Sequence, residues 1–222
     1  FLTAWRKRFH QTLYTSNMSI EQTSRLSLNG LLLVLSGPSG VGKTSIVHEL
    51  LQRFDGVFSV SATTRQAGPG EVDGRDYQFI TESKFQNMIN EDRFLEYAQV
   101  FSRSWYGSPR EPIEAALKNG RLAILDIDVQ GAEIVRTKYP QMYGVFVLAP
   151  SEEELLHRLR LRGREDEAAI QRRFAASTKE IARARIGNTY DDFVVNDDLA
   201  RATDTICALV AKRMGVAVPN SI

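Results

Sequence analysis

The chain has 222 residues, 43% of them hydrophobic and 25% charged, a balance that excludes a disordered polar chain and a disulfide scaffold. Its 28 Lys and Arg stand against 27 Asp and Glu, so nothing global points to nucleic acid or a membrane surface, and any charge-driven function has to be local. No run approaches the ~18 apolar residues of a membrane span, and the one cysteine, Cys207, sits in an apolar helical pattern where a buried thiol is the ordinary reading; both suit a cytoplasmic protein.

Residues 1–29 read as an N-terminal extension. Phe1 to Asn17 carries Arg6, Lys7 and Arg8 with no acid, which leaves 25 basic against 27 acidic side chains elsewhere. A dispensable extension or an upstream mis-start before Met18 is preferred over an organelle targeting peptide.

Leu31-Leu-Leu-Val-Leu-Ser36 is a short unbroken apolar run, the pattern of a strand covered on both faces. A Gly-rich turn follows, then Ile46, Val47, Leu50 and Leu51 recur at helical spacing from Lys43 to Phe54. Phe58 to Thr64, Tyr77 to Ile80 and Phe94 to Val100 read as short strands among turn signals, so 59–109 is expected to be a small strand-rich insertion. Leu122 to Leu125 before Asp126, Gly144 to Leu148 and Phe193 to Val195 are further strands. Ser151 with Glu154 forms a capping box opening a helix from Glu152 to Arg162, and Leu199 to Met214 closes the chain as a helix. The stretch from Arg160 to Glu167 is too charged and Gly-interrupted to be packed helix throughout.

The turn after the first strand, Gly37-Pro38-Ser39-Gly40-Val41-Gly42-Lys43-Thr44, matches the nucleoside-triphosphate loop pattern in full. Glycines let successive N–H groups face a phosphate, the following helix offers its positive end, Lys43 neutralises charge and Thr44 supplies a hydroxyl for Mg²⁺. The bland alternative is a glycine-rich turn, but its four fixed positions arise by chance in roughly one chain in a hundred of this length. A Mg²⁺ partner belongs at the end of a neighbouring buried strand, where Asp126 stands; Asp128, two residues on, is free for a role at the acceptor. Alone, these residues imply a Mg-dependent ATP or GTP user with no named acceptor.

Several further segments resemble the guanylate kinase family, in family order from about Leu31 to Met214. They are Ser36 to Thr44, Phe58-Ser-Val-Ser-Ala-Thr-Thr-Arg65, Gly70-Glu-Val-Asp-Gly-Arg-Asp-Tyr-Gln-Phe79, Phe94-Leu-Glu-Tyr-Ala98, Tyr106-Gly-Ser108, Leu125-Asp-Ile-Asp-Val-Gln-Gly131 and Val195-Asn-Asp-Asp198. The resemblance implies an α/β fold: a phosphate-loop parallel-sheet core with helices on both faces (30–58, 110–157 and 177–222), a GMP-binding insertion (59–109) and a helical lid (158–176). It implies transfer of the ATP γ-phosphoryl group to GMP with Mg²⁺, in a monomer or homodimer with no nucleic-acid or membrane partner.

By the same resemblance the acceptor contacts fall on Ser61, Arg65, Tyr77, Glu96, Tyr106, Ser108 and Asp128, and the lid arginines on Arg158, Arg162 and Arg173. The chemistry agrees: guanine presents N1–H and a 2-amino group to a carboxylate such as Glu96 and O6 to a hydroxyl such as Ser61, while adenine would turn a lone pair on that carboxylate. Taken singly, a tyrosine is more often packing than ligand and a charged helix face more often solvated; the set reverses that weighting. One departure stands out. The family's second phosphate-binding arginine falls on Gly68, so one charge-assisted contact is missing unless Arg75 or another cation compensates. The rival readings are a kinase of the same scaffold acting on a sugar phosphate and a non-catalytic interaction module.

Overall fold

A computed structural model describes residues 30–100, 104–161 and 166–219. The extension 1–29 and Arg162 therefore lie outside the described residues. In chain order the elements are β1 (Leu31–Ser36), α1 (Lys43–Arg53), β2 (Gly56–Phe58), β3 (Ala62–Thr63), β4 (Gln78–Phe79), α2 (Glu82–Asn90), β5 (Phe94–Val100) and β6 (Ser104–Pro109). There follow α3 (Arg110–Lys118), β7 (Leu122–Asp126), α4 (Val129–Lys138), β8 (Tyr143–Leu148), α5 (Glu152–Leu161), α6 (Glu167–Ile186), β9 (Asp192–Val195) and α7 (Leu199–Met214).

Five strands form an all-parallel sheet in the order β2-β7-β1-β8-β9. Because side chains alternate along a strand, the unbroken apolar runs feed two cores at once. Leu33 and Leu35 of β1 pack with Ile46 and Leu50 of α1 and with Ile206, Cys207 and Val210 of α7. Leu32 and Val34 face the other way, onto Ile113 and Leu117 of α3 and Val135 of α4. Leu33 and Leu35 are wholly buried, so truncating either to alanine costs about 2–5 kcal/mol, more than a strand can lose without consequence. The buried thiol of Cys207 agrees with its place in the apolar pattern.

A second, four-stranded sheet, β4-β3-β6-β5, is built within residues 62–109. It has its own small core, in which Phe85, Met88 and Phe94 pack around Ala62 and the Phe85 and Phe94 rings stack with centroids 4.4 Å apart. Two features differ from the sequence expectation. The stretch from Phe58 does not enter this sheet as one strand: Gly56–Phe58 joins the core sheet beside β7, and only Ala62–Thr63 pairs with β6. The insertion also carries the helix α2, capped by Thr81, whose hydroxyl accepts from the Lys84 N–H. In the segment expected to be a lid, 158–176, α5 ends at Leu161 within the described residues and α6 runs unbroken from Glu167 through residue 176. The Ser151 cap on α5 is half of a capping box: Ser151 Oγ accepts from Glu154 N, while the Glu154 carboxylate turns to Arg158 Nε at 2.7 Å. Among the described residues no helix is long and apolar enough to cross a membrane.

Candidate active site

The carboxyl end of β1 delivers the chain into the Gly-rich loop. Gly37 has a φ of +147°, and a Cβ there would meet the Val147 carbonyl of β8 at 2.3 Å, so only glycine lets the loop leave the sheet here. Gly42, at φ +93°, stands at the N-terminus of α1 with the Asn196 side chain where its Cβ would be. Asn196, 4% exposed, donates from Nδ2 to the Val41 carbonyl at 2.7 Å and so props the loop from the far end of β9. The Lys43 ammonium donates to Gly37 O at 2.7 Å and Pro38 O at 3.2 Å and lies 3.8 Å from an Asp126 carboxylate oxygen. Burial at the end of β7 pushes the Asp126 carboxyl up, and Lys43 pulls it back.

Two of the three lid-side arginines named by the sequence, Arg158 and Arg173, stand at the same loop. Arg173 of α6 donates to Ser39 Oγ. Arg158 of α5 stands over Gly40, whose Cβ would lie 3.8 Å from the Arg158 Cβ. Arg158 is held there by its pair with Glu154.

The second sheet supplies the facing wall. Its register shifts between Phe94 and Glu96, an irregularity that re-aims the chain. Leu95 then joins the core beneath α4, while Glu96 sits nearly enclosed opposite Ser108, whose hydroxyl donates to Glu96 Oε1 at 2.7 Å. Asp128 caps α4 by accepting from Gly131 N at 2.8 Å. A Cβ on Gly131 would be 3.1 Å from Glu96 Oε2 and 3.4 Å from Asp128 Oδ1, so both carboxylates converge on the first turn of α4. Burial pushes Glu96 up to about 7; the Ser108 hydrogen bond opposes that rise, Asp128 adds to it, and Lys138 of α4 offsets part of it.

Arg65, at the end of β3, donates from Nε to Tyr106 OH at 3.0 Å and lies over the Tyr77 ring, 5.0 Å from its centroid. The Tyr77 and Tyr106 rings meet edge to face at 5.8 Å. Burial raises the Tyr77 hydroxyl's pKa, so it remains a donor. The Arg65 fork is taken by Glu71, with Nη1 and Nη2 at 2.6 and 2.8 Å from its two oxygens.

A cleft of about 450 Å³ joins the two walls. Gly42, Lys43 and Thr44 line it from the loop, Asp126 and Asp128 from the end of β7, and Ser61 and Tyr77 from the second sheet. Glu96 and Ser108 lie behind that wall, and Arg65 is screened by Glu71. Among the other lining residues, Glu71, Asp76 and Glu180 carry no role in the sequence reading, and Arg75 enters it only as a compensating cation. Glu180, on α6, is raised by burial and by Asp128 and lowered by Lys43; it falls two turns after Arg173 on one helix face, the only signal that could have found it. A larger cleft of about 510 Å³, between α2 and α3, shares no lining residue with the first. Thr44 and Asp126 are hard oxygen donors suited to Mg²⁺, and among the described residues no group of three or more His, Cys, Asp or Glu could hold a metal unaided. A cation at this pair would complete its shell with substrate oxygens.

The family model described as guanylate kinase matches residues 29–213. The guanylate kinase of Symbiobacterium thermophilum is 45% identical over 192 residues, covering 86% of this chain and 89% of that protein. That of Nostoc sp. is 43% identical over 185 residues, covering 83% and 91%. Among solved structures, guanylate kinase from Anaplasma phagocytophilum superposes with a TM-score of 0.69 at 30% identity, over 86% of this chain and 89% of that one. With the phosphate loop, both walls of the cleft and nearly the whole described length inside these matches, the chain belongs to the guanylate kinase family.

Proposed function

We propose that the chain transfers the γ-phosphoryl group of ATP reversibly to the phosphate of GMP, giving ADP and GDP. The observation that carries this is the single cleft in which a triphosphate loop faces a wall backed by the Glu96 and Ser108 pair. Relatives on every side of the match carry the name guanylate kinase, and neither a sugar-phosphate kinase nor an interaction module gains support from them.

Glu96 would accept guanine N1–H and the 2-amino group, with Asp128 beside it, and the hydroxyls of Ser61 and Ser108 would serve the rest of the base edge. Arg65, Tyr77 and Tyr106 would hold the acceptor phosphate by charge-assisted and O–H donation. That phosphate needs no general base, because its second pKa is near ~6 and the attacking oxygen is largely ionised at pH 7. The chain's task is to align it with the donor and cancel charge. Lys43, Arg158 and Arg173 would meet the β- and γ-phosphates around the loop, and the family resemblance assigns Arg162 to the same phosphates. Thr44 and Asp126 would hold Mg²⁺, which supplies further charge neutralisation on the phosphates. Closure of the α5 and α6 segment over the loop would exclude water that otherwise hydrolyses ATP. A cytoplasmic setting belongs to the same reading, since both substrates are cytoplasmic nucleotides.

The test is ADP release from ATP with GMP, AMP, UMP or ribose bisphosphate as acceptor. Turnover with GMP alone is expected. Turnover with AMP or ribose bisphosphate instead, or none at all from folded protein, would overturn the reading.

A further inference from the structure

The residues around Arg65 form a donor set whose natural occupant is a phosphate, and a carboxylate of the chain itself sits in it. Glu71 takes two N–H groups of the Arg65 fork, and its Oε2 also accepts from the Gly68 backbone N–H at 2.6 Å. A planar bidentate guanidinium plus an inward-pointing backbone N–H is the arrangement that binds phosphate monoesters. The loop is closed on itself by the Glu71 N–H to Gly68 O bond, so the side chain reaches its partners within one turn. Gly68 is well placed to allow this, since a Cβ there would come within 3.1 Å of Glu71 Oε2. Arg65 holds the Glu71 carboxyl down at about 2, and the Gly68 N–H helps, so it stays ionised throughout the working range. Glu71, rather than Arg65, faces the cleft. Nearby Arg75 is engaged with Asp76 at 2.7 Å and with Gly70 O.

We propose that Glu71 is an internal stand-in for the acceptor's phosphate, which must displace it from Arg65 and Gly68 to bind, and that this exchange sets selectivity against small anions. The inference rests on the reading of Arg65 as a phosphate ligand. A phosphate tethered to a guanine held at Glu96 arrives at high effective concentration and wins the exchange. Free phosphate, with no tether, competes against a carboxylate that is always present. The pair is partly exposed, with side chains 28% and 24% accessible, so the barrier is modest and reversible on each turnover. Glu71 is thus a specificity-determining residue that acts by vacating the site.

Glu71→Gln keeps the shape and removes the charge. At saturating ATP, inorganic phosphate competing against GMP should inhibit about tenfold more tightly in the variant, and the KM for GMP should fall about threefold. Titration with guanosine, which has no phosphate, should be unchanged and reports an intact base pocket. A KM that rises, or phosphate inhibition that stays the same or weakens, overturns the exchange and makes Glu71 a strut that orients Arg65. If Glu71→Gln no longer binds guanosine, Glu71→Asp, too short to span the fork, should shift both constants in the same direction by less. Loss of guanosine binding in both overturns the proposal. Arg65→Ala separates the two levels: it must raise the KM for GMP at least about tenfold if Arg65 is a phosphate ligand. An unchanged KM there sinks the site assignment itself, whereas a raised one with no gain in Glu71→Gln sinks only the exchange.

Discussion

On the donor wall the chain is positioned by its own backbone, and on the acceptor wall by side-chain charge. Gly37 is pressed against β8, Val41 is tied to Asn196, and α1 begins at once with the Ile46 N–H on Gly42 O. Each of these contacts is made within the chain itself, without a ligand. Across the cleft, Arg65 is fixed by Glu71 and Tyr106, and Glu96 by Ser108. Such contacts can be traded for substrate. On the function proposed above, the donor wall is preorganised for a triphosphate, while the acceptor wall does the choosing.

The largest effect should come from the donor wall. Lys43→Ala should lower kcat roughly a thousandfold while GMP binding, followed by titration, survives. Near-normal turnover, or loss of GMP binding in step with turnover, would erase the distinction between the walls.

Next in size is Glu96→Gln. An amide keeps one acceptor but turns a donor toward the guanine donors, so GMP affinity should fall roughly a hundredfold with ATP affinity held. The same residue sets a pH dependence. Glu96 titrates at about 7, and only its ionised form accepts both guanine donors, so binding should weaken as pH falls from 8 to 6. Guanosine is the proper ligand for this measurement, because the GMP phosphate titrates in the same interval. A flat guanosine profile in the native chain, or an unchanged slope in Glu96→Gln, would exclude Glu96 as the base-reading group.

Asn196→Ala is the counterpart on the donor side. It leaves the Val41 carbonyl buried without its partner, which costs about 1–3 kcal/mol of stability. The KM for ATP should rise several-fold with the KM for GMP unmoved; the reverse pattern would mean the loop is not propped from β9.

The two walls also differed in how far the sequence disclosed them. The phosphate loop lies in eight consecutive residues between a buried strand and a helix, and β1, β7 and β8 announce themselves as apolar runs buried on both faces. β2 is three residues with no buried position, too short to carry a period, and joins the core sheet only through pairing with β7. The helix α2 lies hidden inside a stretch of strand and turn signals, although Thr81 before Phe85 and Met88 marks its start and its buried face. The acceptor residues are scattered from Ser61 to Asp128 and became legible only through a family resemblance. Glu71 lies inside the Gly70–Phe79 segment with no local signal of its role, since its partner Arg65 is met only once the intervening loop folds back. Local motifs write backbone sites plainly; sites assembled from exchanged charges need the fold.

The smallest effect tests that point at Gly68. An arginine there would restore the cation that the resemblance places at this position, and its Cβ would meet only the Glu71 carboxylate, with Oε2 at 3.1 Å, the far end of a side chain that can give by a small shift. The new guanidinium offers the acceptor phosphate one more charge-assisted contact and gives Glu71 a second partner once Arg65 is taken. Both effects favour the bound state. Gly68→Arg should therefore lower the KM for GMP about threefold to tenfold, less than the ~1.5–3 kcal/mol of an ideal charged hydrogen bond because the loop is exposed. An unchanged or higher KM would mean that the backbone N–H of Gly68, held open by the missing Cβ, matters more to this site than a second cation. Combining Gly68→Arg with Glu71→Gln then sharpens the contrast: if Glu71 is the group that both changes act upon, their effects on KM fall short of additive. Full additivity would leave the arginine acting on the phosphate directly.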